Sequence, residues 1–315
     1  MPFHDGLPEI LPPREDGVFK STFTREAAKP ALLELLSDIL DRPLKDVKIR
    51  NNEPPISDVG AKREVFDINC LAEDDKSQYD IEMQATPMEG DKGENEHRHI
   101  RNRAVFNLSD LHASQPGRGV RYGDFFNSYQ IMICNYNVFN WENELVERFT
   151  YRNERGNQLS DITTAIFIDL TQASKIILKS VAEMSAVEQW AVFLAKADDP
   201  QYRETMREIL SQKEGIFVAY EMLTSISADE NERARFRSRR IWENDQAHNR
   251  AVREHEIAEA VSSAVSDERE KWASVVADKD ARIADKDKSL ADKDARIADK
   301  DARIAELERQ LGERK

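Results

Sequence analysis

Asp67 stands in the run Val65-Phe66-Asp67-Ile68-Asn69-Cys70-Leu71, and Glu82 and Gln84 close the run Tyr79-Asp80-Ile81-Glu82-Met83-Gln84. Side chains of an extended chain alternate between two faces. Asp67 therefore shares a face with Val65, Asn69 and Leu71; Asp80, Glu82 and Gln84 share one face of the second run, and Tyr79, Ile81 and Met83 the other. The polar segment Ala72-Glu73-Asp74-Asp75-Lys76-Ser77 between the runs suits the turn of a hairpin. A turn centred between Asp74 and Asp75 sets Asp67 opposite Glu82 and Asn69 opposite Asp80. A slip of one residue would move every side chain to the wrong face.

Two carboxylates directly opposite on a sheet repel each other. Solvent, a basic neighbour or a bound cation must offset that. A hard divalent ion such as Mg²⁺ takes oxygen ligands and often needs only one or two carboxylates, filling its shell with water and phosphate. Phosphodiester hydrolysis can use such a site, because the ion polarises a phosphoryl oxygen and acidifies a bound water. Gln84 points the same way as Glu82 and could hold a water or a phosphate oxygen, but it brings no positive charge. The same alternation also describes a plain hairpin with one polar face in water.

A net charge of −14 excludes a broadly basic nucleic-acid binder. Its distribution is more informative. Residues 64–96 hold eleven carboxylates against Lys76 and Lys92, and the next seven residues, His97-Arg98-His99-Ile100-Arg101-Asn102-Arg103, hold three arginines and two histidines. An acidic patch followed by a basic one suits a site binding cations and a polyanion side by side; a solvated loop leading into a helix has the same composition. Arg98, Arg101 and Arg103 are the candidate phosphate contacts, and His97, His99 and His112 are candidate bases. Cys70 and Cys134 lie in apolar runs, far apart, and match no zinc or redox motif. No stretch is apolar enough to span a bilayer, and Met1-Pro2-Phe3-His4-Asp5 lacks the features of a signal peptide. A soluble, cytoplasmic protein is expected.

The elements that must position these residues follow from local pattern. Residues 1–15 are Pro-rich and irregular, and Asp16-Gly17-Val18-Phe19-Lys20 leads into a helical turn. Pro30 to Leu40 reads as a helix stopped by Asp41-Arg42-Pro43, and Val47-Lys48-Ile49 as a short strand. After the hairpin, with strands over Glu64–Leu71 and Gln78–Gln84, a helix runs from about Glu94 to Ser114. Tyr129–Cys134, Val146–Tyr151 and Ala165–Leu170 read as strands, and from Ser185 the pattern is helical. Strands with an inserted helix, flanked by helices, suit an α/β sandwich.

At these residues the chain resembles a known family. Asp67, with Glu82-Met83-Gln84 closing a strand, is similar to the Asp…Glu-x-Lys signature of the PD-(D/E)xK nucleases. It resembles more closely the recombination-promoting nuclease / transposase family, whose usual form is Asp…Glu-x-Gln. Asp16-Gly17-Val18-Phe19-Lys20, Arg103-Ala104-Val105-Phe106, Gly123-Asp124-Phe125 and Trp190-Ala191-Val192-Phe193-Leu194 agree in order, over roughly residues 16–240. The resemblance implies a restriction-endonuclease-like core, a central mixed sheet flanked by helices, over 16–175, with a helical part over 176–240. It further implies Mg²⁺-dependent cleavage of DNA (Mn²⁺ as a substitute) in recombination or mobile-element biology. Asp67 and Glu82 would be metal ligands, Gln84 the stand-in for the usual lysine, Asp16 an added carboxylate, and Arg103 a contact to phosphate or to transition-state charge.

From 241 to 315 a charged helical tail is expected. From Ala277 it repeats Ala-Asp-Lys-Asp-Ala-Arg-Ile with small changes, so that Ile283, Leu290, Ile297, Ile304 and Leu311 recur at heptad a positions. The d positions are Lys286, Lys293, Lys300 and then Leu307, which weakens a coiled-coil seam; Val265, Trp272 and Val276 fit the frame better. The tail is either a weak coiled coil, a homodimer contact over 265–311, or a lone solvated helix. Two functions are consistent with the whole: a metal-dependent DNA endonuclease, or a non-catalytic interaction protein that keeps the fold and recruits partners through the tail. A strand-transferring transposase is disfavoured by the lack of a recognisable helix-turn-helix or zinc finger. Arg233, Arg235, Arg237, Arg239 and Arg240 wrap around their helix and read as a solvated junction.

Overall fold

In the computed structural model, residues 10–50, 68–87, 97–115, 121–142 and 144–312 are described. Asp67, with the expected strand start at 64–67 and helix start at 94–96, lies outside the described residues.

The hairpin forms as the alternation requires. Strand β2 (Ile68–Ala72) pairs antiparallel with β3 (Ser77–Gln84), with Asn69 opposite Asp80 and Ile68 opposite Ile81. This is the register the turn residues predict. The turn closes on Lys76, whose φ of 49° is left-handed and whose N–H donates to the Glu73 carbonyl. Asp75 fixes it further, accepting hydrogen bonds from Arg42, from the Ser77 hydroxyl at 2.6 Å and from the Tyr79 hydroxyl at 3.2 Å.

Four further strands complete one sheet: β1 (Lys48–Ile49), β4 (Asn127–Cys134), β5 (Val146–Phe149) and β6 (Thr163–Asp169), in the order β1-β2-β3-β4-β6-β5. β3, β4 and β6 are parallel; β1, β2 and β5 join antiparallel at the edges. A parallel neighbour requires a crossover connection. Between β3 and β4 the chain makes helix α3 (Arg98–Ala113), which turns Ile100, Ala104, Leu108 and Leu111 inward. β5 stops two residues earlier than its sequence suggests, since beyond Phe149 the chain leaves β6 and makes a separate bridge between Arg152 and Gln158.

The two faces of the sheet differ sharply. Tyr79, Ile81 and Met83 of β3, Ile131 and Ile133 of β4, and Ile166 and Ile168 of β6 enter the main hydrophobic core. That core is covered by α1 (Asp16–Phe23), α2 (Lys29–Leu40), α5 (Ala186–Lys196) and α7 (Glu214–Ala228). The apolar positions at helical spacing explain the helices, and local signals bound two of them. Asp41, left-handed at φ 53°, ends α2, and a capping box of Ser185 and Glu188 starts α5. Trp190 is buried with its indole N–H on Asp38 at 2.9 Å, so its one polar atom is satisfied. Gly215 lets α7 approach α2, because a Cβ there would lie 2.7 Å from the Glu34 Cβ. Under α3 the opposite face carries Asn69, Gln78, Asp80, Glu82, Ser128 and Gln130, with Met132, Cys134, Ala165 and Phe167 forming a smaller apolar cluster beside them.

The chain divides into two compact units, Met1–Ser238 and Arg239–Lys315. The second consists of the continuation of α8 (Glu230–Gly312), an 83-residue helix preceded by α4 (Ala173–Ile176), α6 (Arg203–Gln212) and α7 in the chain. No helix among the described residues is long and apolar enough to cross a membrane.

Candidate active site

Glu82 is fully buried in the middle of the polar face. An isolated buried carboxylate is costly unless charged and polar groups surround it. Here four donors converge on it. The Arg103 guanidinium lies 3.0 Å from Oε2, and the Gln84 amide donates to the same oxygen at 3.2 Å. The Asn107 amide donates to Oε1, and the Gln130 amide reaches that oxygen at 3.5 Å. An ionised carboxylate accepts only, and each of these four partners is a donor.

The fold explains the convergence. Glu82 and Gln84 are two residues apart on β3 and so point the same way. Gln130 stands opposite Asp80 on the neighbouring β4, two residues from the Glu82–Met132 pair and on the same face. Arg103 and Asn107 are four apart on α3 and share the helix face that lies over the sheet. Ile100, Ala104 and Leu108 on the same helix anchor it over Met132 and Phe167, which fixes the height of Arg103 above the carboxylate.

Asp16, at the first turn of α1, accepts from the Ala85 N–H at 3.3 Å and so stands at the carboxyl end of β3, immediately past Gln84. Ligands of open α/β sheets characteristically bind beyond the carboxyl ends of their strands. Arg103 points inward, onto Glu82, and not outward as a simple phosphate contact would. Arg98 is exposed and Arg101 half-buried, both in the first turns of α3.

The histidines fall elsewhere. The His97 ring packs at 5.2 Å from that of Tyr136, and His99 is exposed. His112 meets the Ser128 hydroxyl at 3.0 Å, and Ser128 pairs with Gln78 whereas Met132 pairs with Glu82. Four residues of strand separate the two positions, about 13 Å, which is out of reach for a base acting at Glu82. Burial holds its imidazole below the usual histidine value. The thiols are also outside the chemistry. Burial, and then the nearby carboxylates Asp169 and Glu82, push Cys134 far above the ordinary thiol range; burial and Asp80 do the same to Cys70, against a smaller opposing effect of Arg50.

Sequence reasoning missed Asn107 and Gln130. A glutamine inside the otherwise apolar run Tyr129–Cys134 was a visible signal for the second, and the four-residue spacing from Arg103 for the first. Among the described residues no group of three or more His, Cys, Asp or Glu side chains comes together as a metal site. A magnesium site does not require one, since one or two carboxylates suffice beside water and phosphate. Glu82, two residues before the carboxyl end of β3, and Asp16, on the Ala85 N–H just beyond it, are the carboxylates this end of the sheet offers to such an ion; the Glu82 oxygens are held by Arg103, Gln84, Asn107 and Gln130, which would have to yield to it.

A central mixed sheet between helices, with a buried acidic residue on its polar face, fits a restriction-endonuclease-like fold. The model of the PD-(D/E)XK nuclease family transposases matches residues 13–252, and the chain belongs to that family. Nucleases of this superfamily generally use divalent metal ions. No curated protein and no solved structure matches the chain.

Proposed function

We propose that this protein is a Mg²⁺-dependent DNA endonuclease acting in recombination or element mobility, in the cytoplasm, with residues 16–240 as the catalytic body and 241–315 as a tail. The observation that carries the proposal is the fully buried Glu82 carboxylate beneath Arg103, Gln84, Asn107 and Gln130. A polar face of this kind stabilises the fold less than an apolar one of the same volume would.

Asp67 and Glu82 would hold the ion, with Asp16 as a further carboxylate. What supports this reading is the register of the described residues, in which Ile68 opposes Ile81 as the alternation expects; Asp67 precedes Ile68 in the sequence, and Glu82 follows Ile81. A bound divalent ion polarises the phosphoryl oxygen and lowers the pKa of a coordinated water. Gln84 spends an amide N–H on Glu82, which leaves its carbonyl oxygen as an acceptor to orient that water. Gln84 is neutral, so the positive charge a lysine would bring must come from elsewhere. Arg103, on Glu82 Oε2 at 3.0 Å, would supply it to a phosphate, with Arg101 and Arg98 as outer contacts.

Plasmid nicking in Mg²⁺ or Mn²⁺ tests the assignment. Wild type is expected to nick, with Asp67→Ala and Glu82→Ala reduced by about a hundredfold or more. Equal activity in all three proteins eliminates the site. Inactivity of all three, together with no metal binding, favours a non-catalytic protein that keeps the nuclease fold and recruits partners through its tail.

A further inference from the structure

The tail carries a pattern that a solvated helix does not require. Val276, Ile283, Leu290, Ile297 and Ile304 recur every seven residues along α8, each between 51% and 59% exposed. A strict seven-residue spacing keeps one stripe on one side of a gently supercoiled helix. Pairs four apart along the helix, such as Asp278 with Arg282 and Asp292 with Arg296, would account for the charges of a lone helix, but not for the isoleucines and leucine.

The charges flanking the stripe also specify an arrangement. With the apolar residues at heptad position a, Arg282, Arg296 and Arg303 occupy g, and Asp287, Asp301 and Glu308 occupy e. In a parallel, in-register pair of helices, each g residue faces the e residue five positions further along the other helix. Arg282 then meets Asp287 of the second copy, Arg296 meets Asp301, and Arg303 meets Glu308. In an antiparallel pair g faces g and e faces e, which would set arginine against arginine and aspartate against aspartate. The parallel choice sets each d lysine opposite its own copy, which costs stability. A d side chain also packs beside the e residue of the opposite helix, so Lys286, Lys293 and Lys300 each gain an aspartate there, at 287, 294 and 301, which offsets that repulsion.

Repetition alone does not explain this frame. Where the sequence leaves the repeat, at Ala305-Glu306-Leu307-Glu308, position d becomes leucine and position e stays acidic. Upstream, exposed Val265 and Trp272 also occupy d. We propose that α8 pairs with α8 of a second copy of this chain, parallel and in register, over about residues 265–308. The inference does not rest on the nuclease reading. It puts the amino-terminal ends of both tails, at Arg239, at the same end of the pair.

Single-cysteine crosslinking of the full chain tests it, because both native cysteines are buried. Lys279→Cys and Lys300→Cys, made separately, are each expected to give a disulfide-linked species of twice 36.2 kDa. An antiparallel pair would let at most one of the two self-link, and that result overturns the proposal. So does a monomeric mass by light scattering at every concentration up to the solubility limit. Changing Arg282, Arg296 and Arg303 together to Glu should weaken the dimer by about a hundredfold. Adding Glu308→Lys, whose neighbouring d residue is Leu307 and not a lysine, should restore part of it; failure to restore any would contradict the g–e′ pairing.

Discussion

One strand, β3, serves two surfaces built on opposite principles. Tyr79, Ile81 and Met83 go into a continuous apolar core, where each is fully buried and close packing holds it, with only the Tyr79 hydroxyl reaching a polar partner, Asp75. Asp80 and Glu82, one residue out of phase, are equally buried, but Glu82 is held by hydrogen bonds and an ion pair from β3, β4 and α3. The first surface depends on shape and volume. The second depends on every donor finding its acceptor, and it brings together groups that can bind a cation and a phosphate. The apolar face therefore carries the fold, and the polar face is where we propose the chemistry.

Substitutions that separate the two roles should give different signatures. Glu82→Gln should lower nicking by about a hundredfold or more and also cost about 1–3 kcal/mol of stability, since its amide nitrogen would face two of the four donors and Arg103 would lose its carboxylate. Ile81→Ala should lower stability by about 2–5 kcal/mol with the folded fraction keeping its specific activity. Urea denaturation alongside the nicking assay distinguishes them. Loss of specific activity in both variants alike would erase the contrast.

Arg103→Ala probes the boundary between the roles. It leaves Glu82 buried with its hydrogen bonds but without its cation, and should destabilise by about 1–2 kcal/mol, less than for a fully buried pair because the arginine side chain is 30% exposed. Added Mg²⁺ should recover part of that loss if the ion takes over the same carboxylate. Thermal melts with and without Mg²⁺ measure it.

The smallest expected effect is at His112, at the far end of the polar face. Burial lowers its pKa, so the unfolded chain binds more protons as pH falls below the ordinary histidine value of about 6.5. Its contribution to stability is complete above that value and is lost as pH falls through the folded pKa. In His112→Gln the loss of stability between neutral and mildly acidic pH should be shallower than in wild type, while nicking at neutral pH should be unchanged.

Much of this contrast was legible in the linear sequence, and the reasons are local. Alternation in Tyr79–Gln84 and the acidic turn before it specify the faces and the register, and Asn69 does stand opposite Asp80. The spacing of apolar residues in 30–40 and 100–111 marks the core-facing sides of α2 and α3. What could not be read locally was burial. The alternation alone left open a polar face in water, and only the crossover that lays α3 over β3 and β4 makes it an interior. Asn107 and Gln130 were missed for the same reason, since each reaches Glu82 through a neighbour that topology supplies, far away in sequence. Likewise the sequence marks Arg103 as a phosphate contact, whereas its place over Glu82 depends on how α3 is seated.

The central claim is that Glu82 is a metal ligand, and the most direct measurement is Mn²⁺ anomalous scattering from crystals of the intact protein. The account predicts one Mn²⁺ peak with Glu82 and Asp67 oxygens at about 2.0–2.6 Å and the Arg103 guanidinium withdrawn from Oε2. Saturating Mn²⁺ that leaves Arg103 on Glu82, with no peak beside that carboxylate, would contradict it.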